Sequence, residues 1–99
     1  MIVIINPGAE ADLQRIGDII AENNPIRAVT FARELRQRCE SLAHTPRRFP
    51  LVPRYEHTGV RRVVHGNYLI FYHVGVHKID VLRIVHSAMN YEAILFPKG

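Results

Sequence analysis

VRRVVHGNYLIFYHVGVHKIDVLRIVH, residues 60–86, decides the fold. It contains the runs VRRVVH, NYLIFYHV and KIDVLRIVH, dense in β-branched and aromatic residues, which is the composition of strands. HGNY supplies a tight turn between the first two, with Gly66 and Asn67 as its loop residues. His65 then lies opposite Tyr68, Val63 opposite Ile70 and Arg61 opposite Tyr72. With Gly75 and Val76 as the next loop, Tyr72 faces Ile79, Ile70 faces Val81 and Tyr68 faces Arg83. This register predicts one face carrying Arg61, His65, Tyr68, Tyr72 and Arg83. The other face carries Val64, Leu69, Phe71, Leu82 and Ile84 and is the expected core. A change of one residue in either loop reverses the alternation on a strand.

Upstream, Ile2 to Ile5 are consecutive β-branched residues and read as a short buried strand, pairing at the sheet edge or beside the last strand. PGAEAD turns the chain and puts acids in the first turn of a helix, where the dipole favours them. Ala9, Leu13, Ile16 and Ile20 form one apolar stripe at helical spacing. Gly17 interrupts this helix, and close packing against a neighbouring helix is its expected reason. NNP ends the first helix and starts a second, with Asn24 as cap and Pro25 at the first helical position. The second stripe is Ala28, Ala32, Leu35, Cys39 and Leu42, with Phe31 beside it. On its outer face Glu34 and Arg38 have the favourable i,i+4 order. So short a link makes an antiparallel helical hairpin. Residues 45–59 hold Pro46, Pro50 and Pro53 and read as an extended loop with an edge segment around Leu51–Tyr55. The tail from residue 87 reads as weakly helical or extended.

The expected fold is therefore α+β: an N-terminal strand, then a two-helix antiparallel hairpin packed on a small antiparallel β-sheet. The helical stripes need one face of that sheet, which leaves the other face open. Ninety-nine residues make a single domain, 1–99. The 47% hydrophobic share excludes global disorder. No apolar run is long enough for a membrane span, and the start lacks a basic leader. Cys39 is the sole cysteine, which excludes an intrachain disulfide and fits a reducing, cytoplasmic setting.

Thirteen basic against nine acidic residues give a formal charge of +4. All the basic residues but Lys78 and Lys98 are Arg, whose planar fork grips carboxylates and phosphates with two parallel hydrogen bonds. The implied partner is an acidic protein or a nucleic acid. Arg61, Tyr68, Tyr72 and Arg83 on one surface would suit an anion, a phosphate backbone or an acidic peptide. His86 is expected at the end of the last strand near Tyr91, where an imidazole can move a proton. Glu56, His57 and His65 are lesser candidates. His73 and His77 have i,i+4 spacing on a strand and turn, where that spacing does not converge side chains. Paired cysteines, a glycine-rich phosphate loop and a Ser or Cys nucleophile motif are all missing, so neither a metal nor a cofactor is expected.

DLQRIGDIIAENNPIRAVTFARELRQRCESLAHTP, GVRRVVHGNYLIFYHV and IDVLRIVHSAMN, taken in order, resemble the ParE branch of the ParE/RelE toxin superfamily. These are the toxin halves of bacterial type II toxin–antitoxin modules. The resemblance runs over about residues 3 to 95. Its most specific elements are the NP between the helices, the spacing from Arg61 to Tyr68, Ile70 and Tyr72, and the ending VLRIVH. It implies a helical hairpin on a small antiparallel sheet. It also implies a cognate acidic antitoxin that wraps the toxin in a hetero-oligomer, held in part through Arg61, Tyr68, Tyr72 and Arg83. ParE-type members act on DNA gyrase and serve plasmid or chromosome maintenance. RelE-type members instead cleave mRNA on the ribosome. In that alternative Arg61 and Arg83 would hold phosphate while His86 or Tyr91 moved a proton. The sequence has no Lys before Lys78, and its NP-linked hairpin favours ParE-like inhibition by binding. A toxin that has lost activity and serves as a co-repressor is the third reading.

Overall fold

The structure, a computed structural model, describes residues 1–98. β1 (Ile2–Ile5) leads into α1 (Pro7–Ala21) and α2 (Pro25–Ser41). A single 3₁₀ turn at Glu56–Thr58 precedes β2 (Val60–His65), β3 (Tyr68–Val74) and β4 (Lys78–His86), and the short α3 (Tyr91–Leu95) follows. The sheet order is β1-β4-β3-β2. The three later strands are antiparallel, as read from the sequence, and β1 extends them by pairing parallel to β4, from Ile2 opposite Lys78 to Ile5 opposite Val81.

The helix boundaries follow local chemistry. Pro7 and Pro25 open α1 and α2 where the missing N–H costs nothing. The Asn24 side chain accepts the Arg27 N–H at 3.0 Å. Ala9, Leu13 and Ile16 of α1 and Leu35 and Cys39 of α2 are buried against Val63, Ile70, Tyr72, Ile79, Val81 and Ile84 of the sheet. Each such large side chain, fully buried, contributes about 1.5–3 kcal/mol. Gly17 does not mark a close helix contact: a Cβ there would meet nothing within 4 Å. It lines a shallow groove between the two helices instead. Gly8 is the tight position, because a Cβ would fall 3.0 Å from Arg83 Cδ and 3.3 Å from the Leu82 carbonyl. Glu34 pairs with Arg27 at the start of α2 rather than with Arg38.

The first hairpin has the register read from the sequence, with His65 opposite Tyr68, Val63 opposite Ile70 and Arg61 opposite Tyr72. Gly66 sits at φ 60°, the left-handed conformation that glycine adopts freely. The second hairpin differs. Gly75 N–H donates to the Lys78 carbonyl at 2.8 Å, so the loop residues are Val76 and His77, one position later than expected. Tyr72 then faces Val81, not Ile79. A bulge follows, because Tyr72 pairs with Val81 while Phe71 pairs with Arg83, leaving Leu82 as the extra residue. Ile70 therefore faces Ile84, and Tyr68 faces His86 rather than Arg83.

The faces are also assigned differently from the sequence reading. Val63, Ile70, Tyr72 and Ile84 point to the helices. Leu69, Phe71 and Val85 point the other way, into a second core with Val52 and Val60, flanked by Tyr55, Leu82, Tyr91, Ile94 and Phe96. The sheet's back is thus covered, not open. Two helices shield only one face, and the aliphatic and aromatic side chains behind need their own roof. The proline-containing segment around Val52 and the α3 tail provide it.

Candidate functional site

The residues singled out by sequence divide into separate environments. Tyr72 is fully buried in the helix-side core and its hydroxyl donates to the Pro46 carbonyl at 2.9 Å. Burial pushes its phenol above the ordinary value, with the Arg61 charge opposing. Arg61 Nη1 donates to the carbonyls of Phe49 at 2.7 Å and Arg47 at 3.3 Å. These two side chains pin the loop 46–49 to the sheet. Neither lies on an open surface, because register places Tyr72 under the helices.

Arg83 reaches α1. Its Nε and Nη2 donate to Asp12 Oδ2 and Oδ1 at 2.8 and 3.0 Å. The Ile84 N–H donates to the same carboxylate at 2.8 Å, and Arg15 Nη2 at 2.6 Å. Asp12 is completely buried. Burial draws its carboxyl upward, but the bonds from Arg83, Ile84 and Arg15 outweigh this and hold it below the ordinary carboxylate value. Asp12 also raises the Arg83 guanidinium. Sequence reading passed over Asp12. Its signal was an acid on the same helical stripe as Ala9, Leu13 and Ile16.

Tyr68 and His86 are cross-strand partners whose rings meet edge to face, 5.2 Å apart at 81°. His86 Nδ1 accepts the Ala88 N–H at 3.0 Å. Tyr91 is not beside His86: it lies against Phe71, 5.1 Å away, in the second core behind the sheet. There Arg62 covers the Tyr91 ring, 5.6 Å from its centre. A cavity of about 320 Å³ brings Tyr68, Arg83 and His86 together with Arg15, Ile19 and Met89. Arg61, Tyr72 and Tyr91 do not line it. The remaining candidates, Glu56, His57 and His65, do not line it either. His65 sits on β2 with its ring 5.8 Å from Phe31, and Glu56 and His57 form the 3₁₀ turn. Among the described residues, no group of three or more His, Cys, Asp or Glu side chains could hold a metal ion. Among the described residues, no helix is long and apolar enough to cross a membrane.

The arginines are sorted unevenly. Arg15, Arg27, Arg36, Arg54 and Arg83 each pair with a carboxylate. Arg33, Arg38, Arg47, Arg48, Arg61 and Arg62 form no salt bridge among the described residues. Of these, Arg38 and Arg48 lie over the Phe49 ring, at 5.3 and 5.7 Å.

A hairpin of helices thus lies over a mixed four-strand sheet. A chain of the chromosomal ParDE TA system from P. aeruginosa superposes with a TM-score of 0.76, over 87% of this chain and 95% of that one, at 22% identity. That likeness concerns the fold. In sequence, residues 3–91 match the family described as ParE toxin of type II toxin-antitoxin system, parDE. Toxin ParE1 of Caulobacter vibrioides is 32% identical over 88 residues, 88% of this chain and 90% of that protein. The chain belongs to the ParE toxin family of type II toxin–antitoxin systems.

Proposed function

We propose that this toxin acts by binding DNA gyrase in the cytoplasm, without bond-making chemistry of its own, and that a cognate antitoxin neutralises it. Family membership over residues 3–91 carries the reading. The disposition of the nominated catalytic residues supports it. Phosphodiester cleavage needs free cations at the phosphate and an acid and a base across one site. Arg83 is already neutralised by Asp12. Arg61 is spent on backbone carbonyls, and Tyr91 lies on the other side of the sheet from His86.

The test is a gyrase supercoiling and DNA-cleavage assay run beside a ribosome-bound mRNA cleavage assay, on one preparation. The expected result is loss of supercoiling with intact mRNA, and filamentation with a DNA-damage response in cells expressing the chain alone. Cleaved mRNA with unaffected gyrase overturns the reading.

A further inference from the structure

We propose that the cavity between α1, the end of the sheet and the C-terminal tail binds a small aliphatic carboxylate. Its carboxyl group lies against Arg15, Arg83, Tyr68 and His86, and its hydrocarbon body against Ile19, Met89 and Ile94. The inference goes beyond the toxin reading and does not depend on it.

Three elements meet at this cavity. α1 contributes Arg15 and Ile19, one helical turn apart and therefore on one face. The strands contribute Tyr68, Arg83 and His86, and the tail contributes Met89 and Ile94. The tail is held by contacts outside the cavity, because Glu92 pairs with Arg54 and accepts the Tyr55 hydroxyl at 2.9 Å. The hollow is thus preformed, as small-molecule sites generally are.

Each polar side chain of the lining offers a donor, and none is a carboxylate. Arg83 gives Nε and Nη2 to Asp12, and Arg15 gives Nη2, which leaves Nη1 of each guanidinium without a partner among the described residues. Asp12 is fully buried and outside the lining. Two guanidinium groups therefore share one carboxylate, and one positive charge is left over at the cavity. Tyrosine hydroxyls bond at Tyr55, Tyr72 and Tyr91, whereas that of Tyr68 has no partner among the described residues. His86 Nδ1 accepts the Ala88 N–H, so the neutral ring carries its proton on Nε2 and donates from there. Four donors beside an unbalanced cation select an oxygen anion.

The rest of the lining selects hydrocarbon. Ile19 and Met89 are 53% and 57% exposed, large apolar side chains left in water beside the cations. The flexible thioether of Met89 adapts to the shape of what it covers. The volume of about 320 Å³ is at the low end for small-molecule pockets, so the body is short. Inorganic phosphate leaves these walls wet, and a neutral hydrocarbon leaves the donors unused.

The full-length chain, labelled with ¹⁵N and with ¹³C in its methyl groups, is titrated with octanoate, octanol and inorganic phosphate. Octanoate should give saturable shifts of the Ile19, Met89 and Ile94 methyls, together with the Arg15 and Arg83 side-chain N–H signals, below about 1 mM. Octanol should bind roughly tenfold more weakly, because the charge-assisted bonds are lost. Each methylene removed from the acid should weaken it roughly three- to fourfold. Arg15→Gln, at a half-exposed position, should lower octanoate affinity roughly tenfold and leave octanol unchanged. Ile19→Glu, also at an exposed position, should abolish octanoate binding while the spectrum stays folded. Equal affinity for octanol and octanoate overturns the proposal, and so does phosphate that produces the same shifts at the same concentration. Octanoate shifts elsewhere, no shifts, or an Arg15→Gln chain that binds octanoate as tightly as wild type overturn it too. None of these measurements involves gyrase, so this proposal and the toxin reading fail separately.

Discussion

Arg83 and Asp12, 71 residues apart in sequence, form a two-pronged ion pair at 2.8 and 3.0 Å that joins α1 to the bulge of β4. Gly8 lets the start of α1 approach this closely. The carboxylate is fully buried, and Arg83 keeps only 32% of its side chain exposed. Replacing Asp12 by Ala strands a guanidinium and the Ile84 N–H together. Loss of one partner from a buried pair costs about 3–5 kcal/mol; partial exposure of Arg83 reduces this to about 2–3 kcal/mol. The Arg15 contact adds little, since that side chain is 54% exposed. Urea unfolding of Asp12→Ala should show the loss as a lower midpoint at unchanged slope.

The same pair sets a pH dependence. The Asp12 carboxyl titrates below its ordinary value in the folded chain, so at acid pH the unfolded chain binds the extra proton. Its contribution is fully present above about pH 4 and fades as pH falls through the folded value. Stability of wild type and Asp12→Asn should therefore converge as urea midpoints are followed from pH 6 toward pH 2. A gap that stays constant over that range would show that the charge of Asp12 is not what stabilises.

Much of the architecture was legible because local chemistry leaves few choices. Asn24 and Pro25 announce a helix start, and HGNY allows only a short hairpin. The faces of the sheet were not legible. VLRIV alternates equally well with or without an extra residue, so nothing in the sequence marks Leu82 as a bulge. That bulge and the displaced second loop separate Tyr68 from Arg83 and bring it to His86. Tyr72 was read as an outward residue because the register sets it opposite Arg61. One hydrogen bond to Pro46 is enough to bury it. The roof over Phe71 was missed because a segment with three prolines reads as loop, although Val52 within it is fully buried.

Tyr72→Phe tests the anchoring of the 46–49 loop. It removes the bond to the Pro46 carbonyl without changing the ring, at a cost of about 1 kcal/mol. The loop should then open more often, and trypsin should cut after Arg47 and Arg48 faster than in wild type. Arg61→Gln, which releases the carbonyls of Phe49 and Arg47, should act in the same direction. Unchanged cleavage at both arginines in both variants would mean that other contacts hold the loop.

Cys39 sits at zero exposure in the helix-side core, and burial pushes its thiol up to about 12. The thiolate is the reactive form, so the folded chain should resist a disulfide reagent at pH 8. Labelling should follow global unfolding, with a rate that rises with urea in step with loss of structure. Rapid labelling in native buffer would mean that α2 opens locally.

His86→Gln separates binding from chemistry at the candidate site. In the folded chain the imidazole meets the Tyr68 ring at its edge and accepts the Ala88 N–H. Glutamine keeps a polar group of similar reach but cannot move a proton. A toxin that works by occupying gyrase should lose little: growth arrest on induction and supercoiling inhibition should stay within a few fold of wild type. General acid–base catalysis contributes about 10²–10⁴-fold, so a nuclease using His86 would fall by that much. The comparison requires equal soluble protein, checked by urea midpoint, because the Tyr68 ring contact contributes up to about 1 kcal/mol of its own. A collapse of toxicity at matched stability would move His86 from a packing role to a catalytic one.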